Sequence, residues 1–511
     1  MSEEYIPNMT INDMNIGEIA YWNPWWKTGI LPETDTNIHD WLKSSFKWKP
    51  RLSRTIEDEE VIYVLRGPRR VGKTTLVKLR IKQLLAKGVN PENILYFPCD
   101  AIENRQQLIK VIDNYLNQQR IDKEWSYLFI DEASMLVDWQ KAIKILIDAG
   151  RFRDCTVLLT GSHSIDLRKG SESLSGRRGK IERLRYETPD KLLCPAKFSE
   201  YVETLNHKLS EELRDMNLLA INHRKRMLTQ LAQGILPQEL KRLGLFTKEL
   251  DILLDQYMIT GGISKAIDQY FSRREIADDT YITFVNFMVR DICKWNHDET
   301  YSRQILRRIF ETLASQISWN QLKEGTDVKD SKTSESYVNI LKDSFAISYF
   351  YQLNIEKSSP DYISNKKIYF QDPFVFHACR GWVYGKKPFE LSLQFMTSVE
   401  DKSKLAECII GNHLSRLMFN LNPASLFDPS NYVFYWKGKK NEVDFVIDLD
   451  GKYLPIEIKY SDNIQNGDAK GIYDFMKTGR THGYGIVTSK NILKVEKNYT
   501  IIPLSILLLL A

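Results

Sequence analysis

The chain contains 511 residues, of which 43% are hydrophobic and 27% charged, and its formal net charge is +5. This length is too great for a single hydrophobic core and predicts three or four domains, while the composition excludes an intrinsically disordered chain. The mild positive charge permits an anionic partner, but it is equally typical of an ordinary mixed surface.

Cysteine usage and hydropathy indicate the compartment. The six cysteines are far apart and include no CxxC pair, which argues against zinc and disulfide frameworks and favours a reducing cytoplasm. The first residues lack a basic, apolar signal pattern, and no apolar run reaches 18 residues, so we expect no membrane partner. The apolar stretch IIPLSILLLLA is too short to span a bilayer and predicts a buried segment.

The stretch GPRRVGKT, residues 67–74, fits the pattern G-x-x-x-x-G-K-[ST]. The preceding VIYVL predicts a buried strand and the following TTLVKLRIKQLLAKG predicts a helix, so the motif joins a strand to a helix N-terminus, where backbone N–H groups hold phosphate. Lys73 would reach the β- and γ-phosphates of ATP, and the Thr74 hydroxyl would bind Mg²⁺. We therefore assign nucleotide binding to Gly67, Pro68, Arg69, Arg70, Val71, Gly72, Lys73, Thr74 and Thr75.

The second half of an ATP site is predicted in SYLFIDEAS, an apolar strand that ends in two acidic residues. Asp131 would lie beside the metal, and Glu132 would orient and deprotonate the attacking water. The strand CTVLLTGSHS offers Thr160 or Ser162 as a sensor of the γ-phosphate, with a plain strand-end cap as the alternative. ENILYFPCD predicts a further strand between the phosphate loop and the Asp-Glu strand, which favours the ATPase branch that uses a catalytic glutamate.

Residues 166–185, DLRKGSESLSGRRGKIERLR, are rich in arginine and lysine. A cation near a γ-phosphate stabilises the transition state, whether it is supplied in cis or by a neighbouring copy. Arg177 and Arg178 are the candidates for this role, and supply by a neighbour would make the protein a homo-oligomer. The alternative is a solvated basic loop.

The middle of the chain contains two regions that differ in their predicted secondary structure. Residues 198–296 are mostly helical in period and predict a lid on the ATPase core, with generic helical linkage as the alternative. Residues 300–375 follow the order helix, short helix, helix and hairpin, which is typical of a winged helix-turn-helix. The last helix of such a motif can enter the major groove of DNA or dock a protein. Its outward side chains are predicted to be Lys332, Ser334, Ser336, Asn339 and Lys342.

The stretch NEVDFVIDLDGKYLPIEIKYSD, residues 441–462, predicts two strands joined by a tight turn at its Asp-Gly pair. Alternation along a strand puts Glu457 and Lys459 on one face, with Asp444 on the partner strand. Two carboxylates can hold Mg²⁺ against a scissile phosphate while a lysine activates water. An upstream helix offers Glu407 as a further metal ligand. The alternative is an ordinary strand with a solvated, charged face.

The aromatic stretch YWNPWWKTG lies near the start of the chain. Trp22, Trp25 and Trp26 could stack on nucleic-acid bases. The interpretation that we favour is an N-terminal arm whose tryptophans pack against the body of the protein.

Several stretches are shared with a known family: RGPRRVGKTTLVK, LFIDEASMLVDWQKAIKIL, LLTGSHS, SLSGRRG, YMITGGISKAI, IYFQDPFVFHA and NEVDFVIDLDGKYLPIEIK. Together they resemble prokaryotic AAA-type ATPases that carry a C-terminal domain related to the PD-(D/E)XK nucleases. The set Glu407, Asp444 and Glu457-x-Lys459 resembles the nuclease site. One departure is Ser264, where the family often has proline.

The resemblance implies an α/β protein with a P-loop AAA-type parallel-sheet ATPase domain, a helical lid, a winged helix and a restriction-endonuclease-like α/β domain. We predict an N-terminal arm at 1–50, the ATPase core at 51–197, the lid at 198–299, the winged helix at 300–380 and the nuclease-like domain at 381–511. ATP and Mg²⁺ are the expected cofactors and DNA the expected partner.

The predicted function is a Mg-dependent ATPase whose nucleotide cycle switches the winged helix and the nuclease-like domain on DNA. Cleavage of DNA by the C-terminal site is left open. The alternative is an ATP-dependent regulatory or scaffold switch, in which a catalytically inactive nuclease-like domain binds a protein or a nucleic acid.

Overall fold

The computed structural model describes residues 15–121, 124–161, 164–184, 188–295, 297–422 and 429–511. They belong to two compact units. Unit 1 comprises Lys49–Cys194 with the described residues up to Ser44, and unit 2 comprises Ser45–Trp48 with Pro195–Ala511. No helix in the described ranges is long and apolar enough to cross a membrane.

Unit 1 is built on a parallel sheet. Its strands are β1 (Ile62–Arg66), β2 (Ile94–Pro98), β3 (Ser126–Asp131), β4 (Cys155–Thr160) and β5 (Asp190–Leu192). They are arranged in the order β2-β3-β4-β1-β5, and each neighbouring pair is parallel. Strands β1 to β4 are buried almost throughout, which explains their continuous apolar sequences. The predicted parallel sheet is therefore confirmed.

The ENILYFPCD strand is present as predicted, but in the sheet it lies at the edge. This strand is β2, and the strand between β1 and β3 is β4. Because the strands are parallel, the phosphate loop after β1 lies at the carboxyl-terminal edge of the sheet, the edge that is formed by the last residues of the strands and at which β3 and β4 also end. The acidic pair and Thr160 are thereby brought to the loop.

The helices in the described part of unit 1 are α1 (Ile16–Tyr21), α2 (Trp25–Thr28), α3 (Thr36–Lys43), α4 (Lys73–Ala86), α5 (Arg105–Gln118), α6 (Trp139–Asp148) and α7 (Ser164–Ser173). The first three helices form an N-terminal arm, which contacts β2 through residues around α2. The Asn23 side chain accepts from the Tyr96 N–H at 2.7 Å and donates to the Tyr96 carbonyl at 2.9 Å. The Trp25 and Trp26 indoles each donate to the Ile94 carbonyl at 2.9 Å. The arm thus covers an edge strand, and the packing interpretation of the tryptophans is confirmed.

Unit 2 begins with a helical region, as the periodicity predicted, and whether it acts as a lid stays a prediction. Its described helices are α8 (Phe198–Leu205), α9 (His207–Asp215), α10 (Ile221–Ala232), α11 (Gln238–Leu243), α12 (Thr247–Thr260), α13 (Ser264–Arg273), α14 (Asp278–Lys294), α15 (Glu299–Glu311), α16 (Trp319–Lys323), α17 (Ser331–Asp343), α18 (Pro373–Tyr384), α19 (Pro388–Phe395), α20 (Val399–Leu421), α21 (Lys470–Met476) and α22 (Leu504–Leu510).

The described strands of unit 2 lie in one sheet of order β13-β14-β12-β11-β10-β9-β7-β8-β6. They are β6 (Gln316–Ile317), β7 (Ile347–Asn354), β8 (Ser359–Phe370), β9 (Val433–Lys437), β10 (Glu442–Leu449), β11 (Lys452–Glu457), β12 (Gly485–Ser489), β13 (Lys494–Val495) and β14 (Tyr499–Pro503). Asp450 and Gly451 both have positive φ, 57° and 81°, and form the predicted turn between β10 and β11. Helix α22 is fully buried, as predicted for the apolar stretch.

The element order α15, α16, α17 and the β7–β8 hairpin agrees with the order predicted for a winged helix, and that assignment stays a prediction. The prediction that Ser334 points outward from α17 is wrong. Ser334 is fully buried because it shares the apolar face of α17 with Tyr337, Val338 and Leu341, at helical spacing. Strand β7 pairs in parallel with β9, so strands from two separately predicted domains share one sheet.

Candidate functional site

The phosphate loop connects β1 to α4 through backbone conformations that require glycine. Gly67 has φ 157°, and a Cβ there would lie 2.0 Å from the carbonyl oxygen of Leu193. Gly72 has φ 101° and immediately precedes Lys73, where α4 begins. The first turn of a helix presents backbone N–H groups without intrahelical partners, which suits an anionic ligand. The strand, turn and helix predicted from the motif are all present.

The first two residues of α4, Lys73 and Thr74, form hydrogen bonds around the phosphate loop. The buried Lys73 ammonium donates to the carbonyl oxygens of Gly67 and Pro68, at 3.0 Å each. The Thr74 hydroxyl donates to Oδ2 of Asp131 at 2.7 Å. The structure thus brings the lysine, the hydroxyl and the acidic residue of β3 to one edge of the sheet.

The Asp131 carboxylate is buried and accepts hydrogen bonds from three hydroxyl groups. Thr74 and Tyr96 donate to Oδ2, at 2.7 and 3.1 Å, and Thr160 donates to Oδ1. Tyr96 was not among the site residues predicted from the sequence. A signal was available, because Tyr96 carries the single polar side-chain group in the strand ILYFP, which pairs with β3.

Glu132 follows Asp131 in a left-handed backbone conformation, with φ 52°. Such a conformation is costly for a residue other than glycine and is found mainly where the surroundings impose it. The Glu132 N–H donates to the Thr160 hydroxyl at 3.2 Å, and that hydroxyl donates to Asp131. Thr160 therefore ties the two acidic residues together, and its role as a phosphate sensor stays a prediction.

The Thr74 hydroxyl and the Asp131 carboxylate are the oxygen ligands that this site offers to Mg²⁺. Mg²⁺ is commonly held by one or two carboxylates together with substrate phosphates and water. The three hydroxyls that donate to Asp131 are neutral, so none of these donors cancels the negative charge of the carboxylate. These residues therefore fit a magnesium ion.

Arg178 does not serve the phosphate site of its own chain. Its buried guanidinium donates to Asp190 at 2.8 Å, to Ser171 at 2.7 Å and to the Ile62 carbonyl at 3.1 Å. Ile62 begins β1, whereas the phosphate loop follows Arg66 at the other end of that strand, about 13 Å away at 3.3 Å per residue. The prediction of Arg178 as a cation in cis is wrong, because this side chain forms a buried ion pair at the opposite edge of the sheet.

Arg177 also lies at that opposite edge. It is partly exposed, pairs with Asp148 at 3.3 Å and borders a cavity with Glu60 and Cys155 near the starts of β1 and β4. A role in cis is therefore wrong for this arginine too, and supply to a neighbouring copy stays a prediction. Ser162, the alternative sensor, lies outside the described residues.

The second predicted site is a cluster of buried charges in unit 2. Asp444 on β10 accepts from the Lys367 ammonium and from the backbone N–H of Ile458, both at 2.9 Å. Lys459 donates to Oε1 of Glu457 at 2.9 Å, so these two side chains share a face as predicted. Glu457 is 9% exposed, and its other oxygen is buried without a hydrogen-bond partner among the described residues.

Glu407 joins this cluster from α20, where it accepts from the Tyr369 hydroxyl at 2.9 Å. Burial and the nearby Asp444 charge raise the pKa of Glu407 well above its usual value, and they raise the pKa of Glu457 to about 8. Burial is the largest single effect on Asp444 and opposes its ionisation, but the Lys367 and Lys459 ammonium groups and the Ile458 N–H together outweigh it, so the pKa of Asp444 is lowered. Burial, the largest single effect, lowers the pKa of Lys367, but Asp444, Glu407 and Glu442 together raise it above its usual value.

The cluster does not fit a magnesium ion as it stands. No three His, Cys, Asp or Glu side chains in the described part of the chain are arranged to hold a metal. Lys367 occupies one oxygen of Asp444, and a backbone N–H occupies the other. The structure thus brings Glu407, Asp444, Glu457 and Lys459 together but does not support their assignment as a magnesium site. Sequence analysis missed Lys367 and Tyr369, because nothing local links β8 to β10.

Comparison with protein-family models gives three matches. Residues 59–202 match an AAA domain, residues 251–384 match a domain of unknown function (DUF8612), and residues 402–507 match a second domain of unknown function (DUF4143). The first match contains the phosphate loop and the acidic pair. No curated protein sequence matches the chain. The chain therefore carries a P-loop ATPase domain of the AAA type.

Three solved structures resemble the chain at low sequence identity. A Walker-type ATPase of Pyrococcus abyssi is 14% identical, with a TM-score of 0.38 over 64% of this chain and 94% of that one. The ORC1 protein of Aeropyrum pernix in complex with DNA is 11% identical, with a TM-score of 0.27 over 71% and 95%. RuvB of Thermotoga maritima is 16% identical, with a TM-score of 0.24 over 57% and 82%.

Proposed function

We propose that the protein is a Mg-dependent ATP hydrolase. The observation that carries this proposal is the convergence of Thr74, Thr160 and Tyr96 on the Asp131 carboxylate, beside a glycine loop at a helix N-terminus. That arrangement combines a phosphate-binding backbone with a buried acidic group that is held by neutral donors. Bound Mg²⁺ would neutralise charge on the transferred phosphoryl group.

Each residue of this proposed site then has a separate role. Lys73 holds the β- and γ-phosphates, and Thr74 and Asp131 hold the metal. Glu132 accepts the proton of the attacking water, since it is the acidic residue next to Asp131 and its backbone is held by Thr160. Thr160 keeps the two acidic residues in one register. The phosphate loop supplies backbone N–H groups to the nucleotide.

The test is phosphate release by the purified protein with ATP and Mg²⁺. Glu132→Gln should bind ATP as the wild type does and hydrolyse it roughly 10² to 10⁴ times more slowly, which is the usual contribution of a positioned base. Glu103→Gln, at an exposed position on the same unit, is the matched control and should keep full turnover. Equal turnover in both variants would remove the assignment of Glu132 as the base.

For the output of the nucleotide cycle we propose action on DNA by unit 2. The helix and hairpin order of residues 300–375 and the assembly of Glu407, Asp444, Glu457 and Lys459 support this proposal. Linear, branched and single-stranded DNA, incubated with Mg²⁺ and ATP, would reveal cleavage. Asp444→Ala should abolish any nicking and leave ATP turnover intact. Binding across a salt series would report contacts with the DNA backbone.

A second candidate output is favoured by one observation, the ammonium of Lys367 on Asp444. A carboxylate that is paired with a buried lysine is poorly placed to bind a metal. In this alternative the nuclease-like region is inactive and binds a protein or a nucleic acid under the control of ATP. Absence of cleavage on every DNA form, together with ATP-dependent DNA binding, would favour this candidate over a nuclease.

A further inference from the structure

A continuous set of buried contacts leads from the N-terminal arm to the Asp131 carboxylate. The Asp35 carboxylate lies 3.1 Å from the Lys78 ammonium. That ammonium lies 3.7 Å from the centre of the Tyr96 ring, and the Tyr96 hydroxyl donates to Oδ2 of Asp131 at 3.1 Å. Lys78, Tyr96 and Asp131 are each at most 5% exposed.

Lys78 is a costly residue at this position. Burial lowers the pKa of its ammonium, and the Asp35 carboxylate acts in the opposite direction. A buried charge persists in proteins when a partner compensates it. Lys78 lies on the same helix as Thr74 and four residues after it, which puts both side chains on one face of α4. One face of this helix therefore carries the hydroxyl that binds Asp131 and the cation that lies against Tyr96.

The arm holds two members of this set, Asp35 and Tyr96. Asp35 caps α3 and accepts from the N–H groups of Asn37 and Ile38, at 3.1 and 3.2 Å, so its carboxylate is fixed by its own helix. Asn23 binds both backbone polar groups of Tyr96. The Trp25 ring lies 5.5 Å from the Lys78 ammonium. The arm thus fixes the backbone of Tyr96 and the charge beneath its ring.

We propose that the N-terminal arm positions the metal-binding carboxylate of Asp131 through Asp35, Lys78 and Tyr96. Tyr96 is a positioning residue, because it acts on the metal site through Asp131. A cation over an aromatic ring is attracted to the ring face, and it holds the ring in the orientation that aims the hydroxyl at Asp131. The inference rests on the proposed ATP hydrolysis. It gives the tryptophan-rich arm a role in that reaction beyond covering β2.

The first test compares Tyr96→Phe with Tyr127→Phe. Tyr127 is a buried tyrosine on the neighbouring strand β3, paired with Ile94, and provides the same chemical change away from Asp131. Affinity for a fluorescent ATP analogue is measured with and without Mg²⁺. For Tyr96→Phe, the gain in affinity caused by Mg²⁺ should fall on the order of tenfold, as expected for a lost hydrogen bond to a charged group, while the affinity without metal stays unchanged.

The second test addresses the arm. Asp35→Asn should reduce the effect of Mg²⁺ on nucleotide affinity in the same direction as Tyr96→Phe but less strongly, and Asp35→Glu should restore it. Asp113→Asn removes the partner of Arg151 elsewhere on unit 1 and is the charge control. Two outcomes would overturn this inference and leave the proposed function standing, provided that the wild type hydrolyses ATP. One is that Asp35→Asn lowers the unfolding temperature without changing the effect of Mg²⁺ on nucleotide affinity. The other is that Tyr96→Phe and Tyr127→Phe show the same effect of Mg²⁺ on nucleotide affinity. Absence of turnover in the wild type would overturn the proposed function and this inference with it.

Discussion

Asp131 in unit 1 and Asp444 in unit 2 are both buried carboxylates on strands, 3% and 6% exposed, but they are held by different groups. Asp131 accepts from the hydroxyls of Thr74, Tyr96 and Thr160. Asp444 accepts from the ammonium of Lys367 and from a backbone N–H. The first carboxylate is oriented by neutral donors, and the second is neutralised by a cation.

This difference separates a proposed metal site from an ion-paired core. Hydroxyl donors do not cancel the negative charge of a carboxylate, which can therefore attract a divalent cation. A buried lysine that pairs with a carboxylate cancels that charge. Both arrangements satisfy buried oxygen atoms, so neither the burial of an acidic residue nor its hydrogen bonding is enough to identify a metal ligand. The charge of the donors is the property that distinguishes the two sites.

The same substitution at both carboxylates should give the largest and most different effects. Asp131→Asn should lower ATP turnover by at least about 10²-fold, because the metal loses its charged ligand. Asp444→Asn should leave turnover unchanged and destabilise unit 2 by less than the roughly 3–5 kcal/mol of a buried charge left alone, because Lys367 keeps its second partner, Glu442, at 3.2 Å. Phosphate release and denaturant unfolding measure the two effects. Loss of turnover in Asp444→Asn would contradict this separation of the sites.

Removal of the internal cation should bring the second site closer to the first. Lys367→Met should destabilise unit 2 by roughly 3 kcal/mol, since Asp444 loses its charged partner. Mn²⁺ or Mg²⁺ should then raise the unfolding temperature of this variant and not that of the wild type. Lys366→Met is the control, because Lys366 is the adjacent buried lysine and lies against Trp319 and Tyr351. A variant that is insensitive to metal would show that Lys367 does not compete with a cation.

The hydroxyl donors of the first site can be removed one at a time. Thr160→Val keeps the shape of the side chain but takes a donor from Asp131 and an acceptor from the Glu132 N–H. Turnover should fall about tenfold, in line with one lost hydrogen bond to a charged group. Thr156→Val, four residues earlier on β4, removes bonds to Trp125 and the Glu59 carbonyl and should alter stability only.

A pH dependence of stability is also expected from unit 2, and it leaves ATP turnover aside. The pKa of Glu457 is about 8 in the folded protein and near 4.5 when the chain is unfolded, so the folded state binds more protons between these values. Stability from this group is fully present below pH 4.5 and is lost as the pH rises through 8, by at most about 1.4 kcal/mol per pH unit. Glu457→Gln should flatten this decline in unfolding temperature, whereas the exposed control Glu390→Gln should follow the wild type.

How much could be predicted depended on how local the determinant was. The phosphate loop was predicted residue by residue, because its glycines and the flanking strand and helix lie within one short stretch. The turn at Asp450-Gly451 and the shared face of Glu457 and Lys459 were predicted for the same reason. Tyr96 was missed because its hydroxyl meets Asp131 only through the register of β2 beside β3.

The errors have the same origin. Arg177 and Arg178 follow the sensor strand closely in the sequence, yet α7 intervenes between β4 and these residues, and both arginines lie at the opposite edge of the sheet. Ser334 was predicted to point outward because its side chain is polar, but it lies on the buried face of α17. The magnesium assignment in unit 2 rested on acidic residues and Lys459 in a pattern that resembles a nuclease site, and a lysine from β8 changed the electrostatics of that site.

The sequence by itself determined the phosphate loop, the parallel sheet with its acidic strand end, the turn between β10 and β11, and the acidic and basic residue types of both sites. Only the tertiary structure decided which hydroxyls hold Asp131, which edge of the sheet receives the arginines and which cation pairs with Asp444. Backbone geometry and alternation act over a few neighbouring residues and can be recognised in a short stretch. The charge balance of a buried group depends on side chains from elements far apart in the chain, which meet only after folding.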